Sequence, residues 1–204
     1  MSTAATTGPP AHDAVVIGGS AGSLEALLAI VAALPADFAL PLVVVVHMPG
    51  DTPSALSGAL APACALPVRE PLDKEPVDPG TVWVAAPGYH LLVEPGPRFA
   101  FSLDEPVNFA RPSIDVLFDA AADVYGPRLI GVVLSGANND GAEGLAAVGR
   151  AGGVALVQAP EEAGSPQMPC AALAACPGAQ PLPAAGIASR LLAAHLQKID
   201  RAFP

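Results

Sequence analysis

Four apolar runs punctuate the chain. They are residues 14–17 (AVVI), 40–47 (LPLVVVVH), 129–136 (LIGVVLSG) and 152–158 (GGVALVQ). Short β-branched runs without polar alternation read as strands buried on both faces, and such strands are usually parallel and central. Between them the period changes. Residues 24–34 place apolar side chains at helical spacing and stop at Pro35. Residues 113–125 set Ile114, Leu117, Phe118 and Ala121 on one helix face, with Ser113 placed to cap it. Further helices are expected at 142–152, in a short piece near 170–175, and at roughly 184–201.

Residues 62–108 break this rhythm. They hold three short alternating pieces, TVWVAAP, YHLLVEP and RFAFSL, separated by turn signals at 79–80, 87–89 and 95–97. That pattern predicts a small antiparallel meander inserted in, or flanking, the main core. The order is therefore βαβ, a β-rich insert, then αβαβα. The expected fold class is α/β: a doubly wound, mostly parallel sheet with helices on both faces and a small antiparallel β insert. One domain is expected over 13–204, after a flexible tail at 1–12, with no internal repeat.

Doubly wound sheets bind ligands beyond the carboxyl ends of their strands. The loops after 17, 46 and 134 are thus where chemistry belongs. After the first strand stands Gly18-Gly19-Ser20-Ala21-Gly22, a G-x-S-x-G turn that exposes a serine at a helix N-terminus. After the second stands His47, and after the third Asp140. Singly, each has a commonplace structural reading: a helix cap for Ser20, a packed histidine for His47, a turn or cap for Asp140. Together on one sheet edge they can form a nucleophile, a base and a base-orienting carboxylate. Backbone N–H groups near Ala21 and in the turn before Asp140 would receive an oxyanion.

Two competing patterns fit less well. A dinucleotide loop would need G-x-G-x-x-G and an acidic residue after the second strand, where His47 stands; no Walker lysine is present either. An α/β-hydrolase needs the order Ser, Asp, His. Its histidine would be His195, which sits inside the helical run IASRLLAAHLQKI.

Composition narrows the partners. Hydrophobic residues make up 52% and charged residues 14%, too apolar for a disordered chain. The net charge of −10 offers no basic track, so no nucleic acid and no membrane insertion are expected. The first residues lack a basic n-region and an apolar h-region, and the apolar stretch at 24–46 is interrupted by Glu25, Pro35, Asp37 and Pro41. Cys64, Cys170 and Cys176 form an odd set without CxxC spacing, read as small buried thiols of a cytoplasmic protein. His12, His47, His90 and His195 offer no H-x-x-x-H pair, so neither a metal nor an organic cofactor is expected.

Six segments also resemble one family in its order: GGSAGSLEAL, VVVVHMPG, WVAAPGYHLLV, ARPSIDVLFDAAADVYG, GVVLSGANNDGAEGLAAV and GGVALVQAPEEAGSPQMPCAA. Together they are similar to the catalytic domain of the CheB-type chemotaxis protein-glutamate methylesterases, over about residues 13–200. The resemblance implies Ser20 as nucleophile, His47 as base and Asp140 as carboxylate. It implies hydrolysis of glutamate methyl esters on a methyl-accepting chemoreceptor, and glutamine deamidation by the same route. The chain departs from the family at two places. Ser20-Ala21-Gly22-Ser23 replaces Ser-Thr-Gly-Gly, and Ala137 replaces the methionine of a Gly-Met-Gly-type turn. Both positions keep a backbone N–H, so Ala21 and Ala137 are the expected oxyanion donors. With so few residues before the first strand, the expectation is a free-standing catalytic domain without a receiver. Two alternatives remain at this stage: a catalytically impaired member serving as a binding or scaffold module, and a serine hydrolase for another ester or amide.

Overall fold

The structure, a computed structural model, describes residues 12–47 and 55–202. All but the last residue of the expected tail, and residues 48–50 of the histidine segment, lie outside the described residues. Among the described residues seven strands form one sheet: β1 (Ala14–Gly19), β2 (Leu42–Val46), β3 (Val68–Arg69), β4 (Val82–Val84), β7 (Leu129–Val133), β8 (Val154–Gln158) and β9 (Gln180–Leu182). Their order is β3-β4-β2-β1-β7-β8-β9. Every neighbouring pair is parallel. The strand order reverses at β1, which is flanked by β2 and β7. This is the doubly wound sheet that the apolar runs predicted.

Among the described residues six α-helices accompany it: α1 (Leu24–Ala32), α2 (Ala55–Leu60), α3 (Ile114–Tyr125), α4 (Ala142–Arg150), α5 (Gln167–Ala175) and α6 (Ala184–Ala202). Alternation along β1 and β2 explains the two cores. Val15, Ile17, Leu42 and Val44 face α1 and α6, where Leu27, Ile30, Ile187 and Leu191 are buried. Ala14, Val16, Val43 and Val45 face the other way, toward Leu117 and Phe118 of α3 and Leu145 of α4. All five β2 side chains are buried, each contributing roughly 1.5–3 kcal/mol. Among the described residues no helix is long and apolar enough to cross a membrane.

The insert differs from the expectation. Among the described strands only β5 (His90–Glu94) and β6 (Arg98–Ser102) pair antiparallel, with His90 opposite Ser102. The first piece, TVWVAAP, instead supplies β4, which joins the main sheet parallel to β2. The cause is its burial: Trp83 packs on Phe99 at 5.1 Å and donates its indole N–H to the Asp78 carbonyl at 3.1 Å. The thiols are also less uniform than expected, because Cys176 is buried but Cys170 is exposed. His195 lies in α6, stacked 5.3 Å from the Phe38 ring, and its Nδ1 accepts the Ala39 N–H at 3.1 Å. It is a packed helix-face residue, as its apolar neighbours predicted.

Candidate active site

The parallel register places the three candidate residues on one edge. Gly19 is level with Val46 and Gly18 with Val133, so Ser20, His47 and the loop after β7 leave the sheet side by side. The His47 N–H donates to the Gly19 carbonyl at 3.0 Å, and the Ser20 N–H to the Ser135 carbonyl at 2.9 Å. Two glycines make the turn fit. A Cβ on Gly18 would meet Ile114 Cγ2 at 2.3 Å, and Gly22 has φ +78°.

Ser20 is not a helix cap. Helix α1 begins at Leu24, with Ser23 at its N-cap. The Ser23 hydroxyl donates back to the Ser20 carbonyl at 2.7 Å. Ser20 itself is half-buried, and among the described residues its hydroxyl holds no hydrogen bond.

Asp140 is fully buried and lies against His47, with Oδ2 2.9 Å from Nε2. Four hydrogen-bond donors converge on it. Oδ2 accepts the Ile114 N–H at 2.7 Å, while Oδ1 accepts the Ser113 hydroxyl at 2.8 Å, the Asp115 N–H at 3.1 Å and the Asn108 amide at 3.1 Å. Burial pushes this carboxyl up, but the close approach of His47 and the hydrogen bonds from Ile114, Ser113 and Asp115 outweigh it and hold the pKa below the ordinary carboxylate value. Two of those donors are the first free N–H groups of α3, where the helix dipole also favours an anion. Ser113 therefore does not cap α3 through its own side chain, as the sequence suggested. It turns to Asp140, and Asp140 caps the helix from another loop. Nor does Asp140 cap the helix that follows it, since Gly141 holds that position.

Nε2 lies within ion-pair distance of Asp140 but is not aligned for a hydrogen bond to it, and Nδ1 faces the other way. Asn138 stands at Nδ1, its amide nitrogen 3.4 Å away, while its Oδ1 accepts the Asp140 N–H at 3.1 Å. The structure thus brings His47 and Asp140 together and sets Ser20 on the adjoining strand end. No hydrogen bond joins Ser20 to His47 among the described residues.

Both expected oxyanion donors have the carbonyl of their own peptide unit tied back. The Ser20 carbonyl accepts from Ser23, and the Gly136 carbonyl accepts the Met168 N–H at 2.9 Å. A trans peptide points its N–H opposite to its C=O. The Ala21 and Ala137 N–H groups are thereby turned away from these anchors, and both residues are exposed. Ala137 borders an open depression of about 590 Å³ with Gly164, Ser165, Pro166, Gln167 and Cys170.

Sequence reasoning missed the clamp behind the serine turn. The Ser135 hydroxyl donates to the Ala21 carbonyl at 2.7 Å and accepts the Ser165 N–H at 2.8 Å. Gln158 fixes Ser135 by accepting its N–H at 2.8 Å. Only the buried polar character of a glutamine ending an apolar strand hinted at this.

A fully buried carboxylate against a histidine, beside a strand-end serine at the carboxyl edge of a doubly wound sheet, has the make-up of a hydrolase site. The comparisons give that class its family. The model described as CheB methylesterase matches residues 15–191, and the chain belongs to that family. A relative from Leptospira interrogans is 44% identical over 164 residues, covering 80% of this chain and 85% of its own length. The protein-glutamate methylesterase/protein-glutamine glutaminase of Symbiobacterium thermophilum is 40% identical over 144 residues, 71% of this chain and 40% of its own. The crystal structure of the Thermotoga maritima CheB methylesterase catalytic domain matches with a TM-score of 0.83 at 32% identity, covering 88% of this chain and 97% of that one.

Proposed function

We propose that this chain is a protein-glutamate methylesterase in which Ser20 is the nucleophile, His47 the base and Asp140 the carboxylate that holds the base. Family membership makes it a carboxylic ester hydrolase; the residue roles and the substrate, glutamate methyl esters on a methyl-accepting chemoreceptor, are our reading. The observation that carries it is the 2.9 Å pairing of His47 with a fully buried Asp140 at the strand end next to Ser20.

The chemistry follows from that pairing. Ser20 Oγ attacks the ester carbonyl carbon, and its proton passes to His47 Nδ1. Asp140 stabilises the imidazolium through Nε2. The oxyanion is received by the Ala21 and Ala137 N–H groups, which need no side chain for the task. The C–OCH₃ bond then breaks, His47 returns the proton, and methanol leaves. Water repeats the attack on the acyl-serine, gives a proton to His47, and frees the glutamate as Ser20 takes the proton back. With a glutamine substrate ammonia leaves instead, by the same route.

The test is methanol release from a carboxymethylated chemoreceptor, wild type against Ser20→Ala. Release that is lost in the variant, by about 10³-fold or more, supports the reading. A second reading, a binding module that no longer turns over, draws on the Asn138 amide standing at Nδ1. It predicts no methanol from folded wild type and receptor binding unaffected by Ser20→Ala.

A further inference from the structure

The cradle around Asp140 holds a second carboxylate. Asp115 accepts the Gly144 N–H at 2.7 Å through Oδ1, and its Oδ2 lies 2.7 Å from the Asn108 amide nitrogen. That same nitrogen lies 3.1 Å from Asp140 Oδ1. An amide nitrogen carries two hydrogens, and two facing carboxylates can only accept. We propose that Asn108 is a positioning residue: its amide gives one hydrogen to Asp140 and the other to Asp115, so that the two carboxylates stand side by side while Asp140 stays aimed at His47. This rests on the reading of His47 and Asp140 as base and orienter.

Independent features agree. Asn108 has φ +51° and Phe109 φ +62°. They are the central pair of a tight turn closed by bonds between Val107 and Ala110 at 3.1 and 2.9 Å. Asparagine tolerates that region; a fully exposed phenylalanine gains nothing from it. The amide's two bonds are what secure the turn against this cost. The loop is also tied down at its sides, where Arg111 donates to the Leu103 and Asp104 carbonyls and His90 Nε2 lies 3.1 Å from the Glu105 carbonyl. Asp115 shows what proximity does without enough donors. Burial, then the charge of Asp140, push its pKa up. Among the described residues the titratable groups facing this cluster are His47 from the end of β2, Asp115 from α3, and His90 from β5, the last acting through the Ser113 N–H at 3.2 Å.

Asn108 is exposed on its outer side, so substituting it opens no core cavity. The experiment compares wild type, Asn108→Ala and Asn108→Asp. Two readouts are taken across pH: the labelling rate of Ser20 by an alkyl fluorophosphonate, and the Asp140 carboxyl titration by NMR of ¹³C-aspartate protein. Asn108→Asp is expected to slow labelling at neutral pH by roughly 10- to 100-fold, to move its acid limb upward, and to raise the Asp140 midpoint by about one pH unit or more, because a third carboxylate replaces a donor. Asn108→Ala should do the same more weakly, since water can enter. An unmoved Asp140 midpoint in Asn108→Asp overturns the proposal, even if the protein is less stable or labels more slowly. Wild type that resists the probe while the midpoint still moves overturns the Ser20 reading and leaves the role of Asn108 standing.

Discussion

Two aspartates mark the two ends of the central strand. Asp13 precedes β1 at the amino edge of the sheet; Asp140 lies beyond its carboxyl edge. Both carboxyls are held below the ordinary range, against burial that would raise them. The means differ. Asp13 is partly exposed and pairs with two cations, Lys198 and Arg128, the latter at 2.6 Å. Asp140 is fully buried and its hydrogen bonds all come from neutral donors, with His47 on one side and the Asp115 carboxylate behind the Asn108 amide. A carboxylate matched by fixed cations has its charge spent locally. One held by N–H and O–H dipoles keeps a full negative charge for a transient imidazolium. The amino edge therefore fastens α6 to the sheet, and the carboxyl edge is built to work.

Breaking each end separately should expose that contrast. Asp140→Asn is expected to lower methanol release on the order of 10³- to 10⁴-fold, whereas Asp13→Asn, assayed on the same substrate, should stay within about twofold of wild type. Gly18→Ala comes next. Its Cβ would strike Ile114, which roofs the serine turn, so urea unfolding should show a loss of about 1–3 kcal/mol, partly recovered by adding Ile114→Ala.

The pH dependence of stability sharpens the comparison further. Asp140 has a lowered folded-state pKa, so its contribution is present above the unfolded carboxylate value and is lost as pH falls through the folded one. Asp115 has a raised value and works the other way: its contribution is complete below the unfolded value and fades as pH rises through the folded one. Urea titrations from neutral to acid pH should show a shallower acid loss for Asp140→Asn than for wild type. The smallest effect belongs to the amino edge. Asp13→Asn should cost under about 1 kcal/mol, and the difference should shrink in 1 M salt, where screening reaches about 3 Å.

Which parts were legible follows from the same physics. β1, β2, β7 and β8 showed in the sequence because they are buried on both faces, and that leaves unbroken apolar runs. β3 and β9 were missed. They are two- and three-residue edge strands, and β9 even contains Pro181, which an edge tolerates. The pairing of β4 could not be read from VWV, because three residues carry no information on whether the partner runs parallel. At the site, the strand-end positions of Ser20, His47 and Asp140 were readable from the register of loops to runs. Their supports were not. Ser113, Asn108 and the α3 N-terminus meet Asp140 only because α3 packs against β1 and β7, a contact across more than two dozen residues of chain.

Asp140 is at once the partner of His47 and the cap of α3. A lineage that stopped hydrolysing esters would still be selected to keep that aspartate, because losing it would strand the first N–H groups of α3 at its buried end. Ser20 has no such second duty among the described residues. In a survey of sister sequences, then, drift at the serine would date the retirement of an enzyme, whereas persistence of the aspartate would attest only to folding.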